Sequence, residues 1–150
     1  SEFALSNVRK NAELNGFTNV HTIQADVFDL LRDKKAAGEK YNLVVLDPPA
    51  FCKSANEVKD AYRGYKDINI LGIKLVKSGG YLATCSCSHF MTQELLTKTV
   101  KEAAKATHKR LRQVEFRTQG ADHPILWANT ANVPESYYLK FIIFQVVDEK

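Results

Sequence analysis

Apolar positions recur along this chain at two different periods, and the switching between them predicts the elements. Phe3, Ala4, Val8 and Ala12, with Leu5 beside them, fall on one side of a helix over residues 1–15. Arg9, Lys10, Asn11 and Glu13 fall on the other, and Asn15-Gly16 stops it. His21 to Ala25 alternates as a short strand ending at Asp26, Val27 to Arg32 reads as a helical turn, and Asp33 to Lys40 as a polar connection. Asn42 to Asp47 is a nearly continuous aliphatic run, as in a strand covered on both faces. Ile68, Leu71, Leu75 and Val76 predict a helix over Asp67 to Lys77, ended by Ser78-Gly79-Gly80. A second buried strand, Tyr81 to Ser88, follows. Thr92 is the expected N-cap of a helix to His108 that turns Leu95, Leu96, Val100 and Ala103 inward. Val114 to Gln119 and Tyr138 to Val147 read as two final strands, separated by a loop that holds Asp122-His123-Pro124 and Pro134.

Strands alternating with helices predict an α/β sheet, mostly parallel, and two strands with no helix between them predict a terminal antiparallel hairpin. Ligands of such sheets bind outside the carboxyl ends of the strands, where Asp26, Asp47 and Cys87 all fall.

Composition narrows the setting. The 150 residues are 45% hydrophobic and 25% charged, which suits one globular domain without requiring that it be complete. No apolar stretch approaches the ~20 residues that cross a bilayer, and no secretory pattern opens the chain, so a cytoplasmic protein without a membrane partner is expected. Cys52, Cys85 and Cys87 are odd in number and form no CxxC or zinc-spaced cluster, so reduced thiols and no metal are expected. The net charge of +4 is compatible with a polyanionic partner but decides nothing. The stripe Lys98, Lys101, Lys105, Lys109 and Arg112 reads as a solvated helix face.

The candidate chemistry is concentrated in two places. Asp47 ends a strand where a carboxylate has no ladder role, and Pro48-Pro49 removes two donors and stiffens the turn. Cys87 stands at the end of the second strand among polar neighbours; a thiolate is the side chain suited to covalent addition to an electron-poor ring, whereas its bland reading is a small buried hydrophobe. Ser86, Ser88 and His89 are candidates to assist it. Asp26 either accepts a ligand's hydrogen bond or simply caps the helix that follows.

Val44 to Phe51 (Val-Val-Leu-Asp-Pro-Pro-Ala-Phe), Tyr62 to Asn69 (Tyr-Arg-Gly-Tyr-Lys-Asp-Ile-Asn) and Thr84 to Ser88 (Thr-Cys-Ser-Cys-Ser) closely resemble class I methyltransferases. The family resembled makes 5-methylcytosine in large-subunit ribosomal RNA and carries an amino-terminal PUA RNA-binding domain. The likeness extends to Ala121 to Pro124 and Tyr138 to Lys140. It implies a Rossmann-like fold, S-adenosylmethionine as cofactor and ribosomal RNA as partner, and it admits a homodimer. It further implies that Cys87 is the nucleophile, with Cys85 a weaker alternate, and that Asp47 acts on the target base. Asp26, Val27, Asp47 and Pro48 would serve the cofactor, whereas Pro49, Phe51, Arg63, Tyr65, Lys66 and His123 would serve the substrate. Arg63, Tyr65 and Lys66 are expected on a flexible loop able to grip phosphate and stack on a base, the bland alternative being a helix lead-in with Asp67 as N-cap.

Relatives that methylate exocyclic amines place an aromatic directly after Asp/Asn-Pro-Pro, where this chain has Ala50, with Phe51 one later, which argues against an amine acceptor. Many RNA cytosine-C5 methyltransferases carry a further cysteine right after the motif that holds Asp47; that position is not cysteine here, and Cys52, several residues beyond, is left unassigned. The family's glycine-rich loop and acidic ribose ligand lie upstream of the segment matching Ser1. Residues 1–150 are therefore expected to be a partial catalytic domain that alone binds cofactor poorly or not at all. A guanine-N7 methyltransferase, which would have no cysteine at position 87, and a non-catalytic RNA-binding relative are the competing readings.

Overall fold

A computed structural model describes residues 1–51, 54–127 and 133–149, and the chain divides into two units, Ser1–Leu30 and Leu31–Lys150. In the first, helix α1 spans Glu2–Leu14; the Ser1 hydroxyl accepts from the Ala4 amide at 3.4 Å, and no residue of the helix is buried. Gly16, at φ +68°, turns the chain out of it. The strand expected at His21 to Ala25 does not form. A strand exists through the ladder it shares with a neighbour, and none is beside it among the described residues. Helix α2, Val27–Ala36, begins immediately after Asp26 and runs further than the single turn expected, through four residues assigned above to a polar connection.

The second unit is built on four strands: β1 Tyr41–Leu46, β2 Val76–Ser86, β3 Lys109–Arg117 and β4 Lys140–Asp148. Their order is β1-β2-β4-β3. β1 and β2 are parallel, whereas β4 runs antiparallel to both β2 and β3. The terminal antiparallel hairpin is present; the sheet is mixed, and its parallel part is the β1–β2 pair.

Helix α3, Val58–Leu75, joins the parallel strands, and α4, Gln93–Ala106, leads toward the hairpin. α3 starts nine residues before the expected Asp67, because Val58, Ala61 and Tyr65 extend the apolar stripe backward at three- and four-residue spacing. Asp67 is consequently mid-helix rather than an N-cap. Thr92 caps α4 as expected, its hydroxyl accepting from the Leu95 amide at 3.2 Å. Lys109 and Arg112 of the basic stripe lie on β3, not on the helix.

Both helices bury their apolar stripes in one core with β4, in which Ala61, Tyr65, Leu96, Val100, Ile142 and Phe144 meet. α3 approaches the sheet closely at Gly72, where a Cβ would stand 2.7 Å from Leu46 Cδ1. The expectation that β1 is covered on both faces is corrected: Leu43 and Val45 are 56% and 57% exposed, because α3 packs on the alternate face, that of Leu46. No helix of the described residues is long and apolar enough to cross a membrane.

Candidate active site

Asp47 and Cys87 each stand just beyond the carboxyl end of a strand, and those strands, β1 and β2, are parallel neighbours with Leu46 opposite Thr84. The topology thus brings a carboxylate and a thiol to one edge. Both residues are exposed, whereas Pro48 is buried and Pro49 is exposed.

Cys85 links the two strands. Its thiol is buried and lies 3.2 Å from both Asp47 Oδ1 and the Leu46 carbonyl, to which it donates. Burial, followed by the Asp47 carboxylate, pushes this thiol up to about 12. A thiol held protonated and committed to acceptors is a poor nucleophile. Its geometric role is to fix Asp47.

The turn bearing Cys87 is anchored on both sides. The Tyr65 and Ser86 hydroxyls are hydrogen-bonded at 2.8 Å, and Ser86 Oγ accepts from the Ser88 amide at 3.2 Å. Phe51 stacks edge-on against Tyr65, centroids 4.9 Å apart, and crowds Gly64, so it packs beneath the site. From the other side, Lys140 Nζ donates to the Ser88 carbonyl at 2.5 Å and to that of Tyr138 at 2.8 Å. His89 Nδ1 is buried without a partner among the described residues.

Several expected roles are altered by these positions. Tyr65 is fully buried, so it cannot stack on an incoming base; it braces Ser86 instead. Arg63, Tyr65 and Lys66 sit in α3 rather than on a flexible loop. The Lys66 ammonium is 3.0 Å from the Glu102 carboxylate, and exposed Arg63 is 3.6 Å from that of Asp60. His123 is exposed, with Nδ1 3.1 Å from Asp122 Oδ2 and its ring edge-on to Tyr138. In the first unit, Asp26 Oδ1 accepts from the Asp29 amide at 3.2 Å, the capping arrangement that was its bland reading, and the side chains of Asp26 and Val27 remain exposed. Cys52 lies outside the described residues.

Sequence reasoning overlooked Lys140 as a site residue, although a signal was present. It has the same parity as Ile142, Phe144 and Val146, the inward face of β4, where a lysine is out of place. By contrast, a groove between α4 and β3 lined by Lys101, Lys105, Lys109 and Arg110 is remote from this chemistry. Lys109 pairs with Asp148, eight residues along β4 from Lys140, roughly 26 Å at strand rise.

An α/β sheet with a carboxylate and a thiol at the carboxyl ends of neighbouring parallel strands places its reactive groups where such sheets bind ligands. The family model described as a methyltransferase domain matches residues 1–133, and the chain belongs to that family. Its fold is the Rossmann-like methyltransferase fold: a structure described as SMU.776, a putative methyltransferase complexed with SAH, superposes with a TM-score of 0.70 at 18% identity, covering 89% of this chain and 34% of that one. Among curated proteins, the Ribosomal RNA large subunit methyltransferase I of Aeromonas salmonicida is 45% identical over 145 residues, covering 95% of this chain and 36% of the relative. That of Erwinia tasmaniensis is 40% identical over 149 residues, covering 98% and 37%. The chain therefore spans about a third of the length of these relatives.

Proposed function

We propose that the protein carrying this chain is an S-adenosylmethionine-dependent methyltransferase that forms 5-methylcytosine in large-subunit ribosomal RNA, with Cys87 as nucleophile. The observation that carries this reading is the exposed Cys87 beside an Asp47 that buried Cys85 holds in place. The names of the curated relatives support ribosomal RNA as the substrate.

The residues present fit the cofactor. Asp26 is an exposed acceptor, and Val27 begins α2, so its amide has no partner within the helix. An acceptor adjacent to a donor complements the edge of an adenine, whose amino group donates and whose ring nitrogen accepts. When bound, S-adenosylmethionine supplies an electrophilic methyl group on a sulfonium.

Carbon 5 of cytosine is not nucleophilic until something adds at carbon 6. The Cys87 thiolate supplies the electron pair for the carbon 6–sulfur bond, and the opening of the carbon 5–carbon 6 double bond makes carbon 5 reactive. Asp47, once it has taken up a proton from solvent, donates that proton to the ring nitrogen that takes up charge as the adduct forms and receives it back when the adduct collapses. Once carbon 5 bears the methyl group, a base takes its remaining proton, that electron pair restores the carbon 5–carbon 6 double bond, and the carbon 6–sulfur bond breaks to release Cys87 as the thiolate. For this to occur the base must leave its stack and enter the edge between β1 and β2. A guanine-N7 methyltransferase has no use for an exposed thiol at this position.

Covalency makes the proposal testable by trapping. Fluorine at carbon 5 cannot leave as a proton does, so the full-length protein with S-adenosylmethionine and ribosomal RNA carrying 5-fluorocytidine should form a denaturation-resistant complex. Peptide mass spectrometry should place the RNA on Cys87. A complex mapping to Cys85 or Cys52, or none at all, would exclude the assignment.

A further inference from the structure

A buried lysine with no carboxylate partner needs a reason, because transferring an ammonium into a protein interior is costly unless something compensates it. Lys140 is 1% exposed, and among the described residues it forms no ion pair with a carboxylate. Its neighbours along the same face of β4 are Ile142, Phe144 and Val146, and a methionine would satisfy that packing. Its ammonium is instead directed at the turn carrying Cys87, bonded to the Ser88 carbonyl at 2.5 Å and to that of Tyr138 at 2.8 Å, with the Tyr137 ring 6.0 Å away.

We infer that Lys140 is a positioning residue for Cys87: it fixes the turn through the Ser88 carbonyl and supplies the positive charge that favours the Cys87 thiolate. This deepens the proposed function, on which it rests for the use to which the thiolate is put. Two carbonyls could be satisfied by a neutral donor, so hydrogen bonding alone does not explain a cation here. The electrostatics are consistent: burial pulls Lys140 down to about 8, while the negative charge of a Cys87 thiolate acts in the opposite direction and raises it. The other groups facing Cys87 are Tyr65 from α3 and Cys85 from β2, with Asp47 behind Cys85 and His89 on the same turn. Tyr65, Cys85 and Asp47 are neutral or negative, and Lys140, cationic below about 8, is the positive group bonded to the turn.

The test needs neither RNA nor cofactor, so its outcome stands whether or not cytosine proves to be the base methylated. Alkylation of Cys87 by iodoacetamide is followed by peptide mass spectrometry across pH 5.5–9.5 in the full-length protein and in Lys140→Met. The midpoint should move up by about one pH unit in the variant, with about tenfold slower alkylation below both midpoints. A folded Lys140→Met with an unchanged midpoint overturns the inference. Should that variant fail to fold, the reciprocal measurement decides: the ε-carbon of Lys140, followed by NMR, should titrate at lower pH in Cys87→Ser than in the unmodified protein. An unchanged titration also overturns it.

Discussion

At Cys85 and Lys140 one physical cause, removal from water, drives two titrations in opposite directions and gives stability a distinctive pH profile. Lys140 is depressed to about 8 from 10.5, so between those values the unfolded chain holds one proton more than the folded one, and stability rises with pH. Cys85 is raised to about 12 from 9.0, so above 9 the folded chain holds the extra proton and stability falls as pH rises. Urea-unfolding midpoints should therefore climb from pH 8 to 9 and flatten where the two effects oppose. The climb should vanish in Lys140→Met, and its persistence there would show that another group is responsible. These are also the residues at which sequence reading was weakest. Asp47 and Cys87 were legible because a carboxylate and a thiol at strand ends are chemically conspicuous. Tyr65 was assigned to substrate and Lys140 to nothing, because burial decides both roles and is a property of three-dimensional packing.

Among the elements, the sequence was most informative where one pattern was unbroken. The aliphatic run Leu43 to Leu46 became β1, and Thr92 with the inward series Leu96, Val100 and Ala103 became a capped α4. It was least informative where charged residues and a glycine interrupt the stripe, as along Lys59, Asp60, Arg63 and Gly64 at the start of α3. Strand formation at residues 21–25 could not be judged locally, because it depends on a neighbour. Gly72 shows how tightly α3 is seated. In Gly72→Ala the new Cβ would meet Leu46 Cδ1 at 2.7 Å and Leu82 Cδ1 at 3.2 Å. The overpacking, about 1–3 kcal/mol, should exceed the helix-propensity gain of about 1 kcal/mol. Calorimetry should show a lower Tm, and a higher one would mean that the leucines yield freely.

For the molecule as a whole, the class of fold was legible because hydrophobic periodicity alternates between strand and helix, whereas the strand order was not. The insertion of β4 between β2 and β3 rests on pairings distant in sequence, and it is this insertion that delivers Lys140 to the same edge as Asp47 and Cys87. Three strands thus bring side chains to one edge: Asp47 beyond β1, Cys87 beyond β2 and Lys140 from β4. The most direct test of the chemistry assigned to that edge is to compare the full-length protein with Cys87→Ser on unmodified large-subunit ribosomal RNA with S-adenosylmethionine, using nucleoside mass spectrometry. 5-Methylcytidine should appear with the unmodified protein and be lost in the variant. Methylation of a different base, or 5-methylcytidine formed at full rate by Cys87→Ser, would contradict the covalent cytosine mechanism.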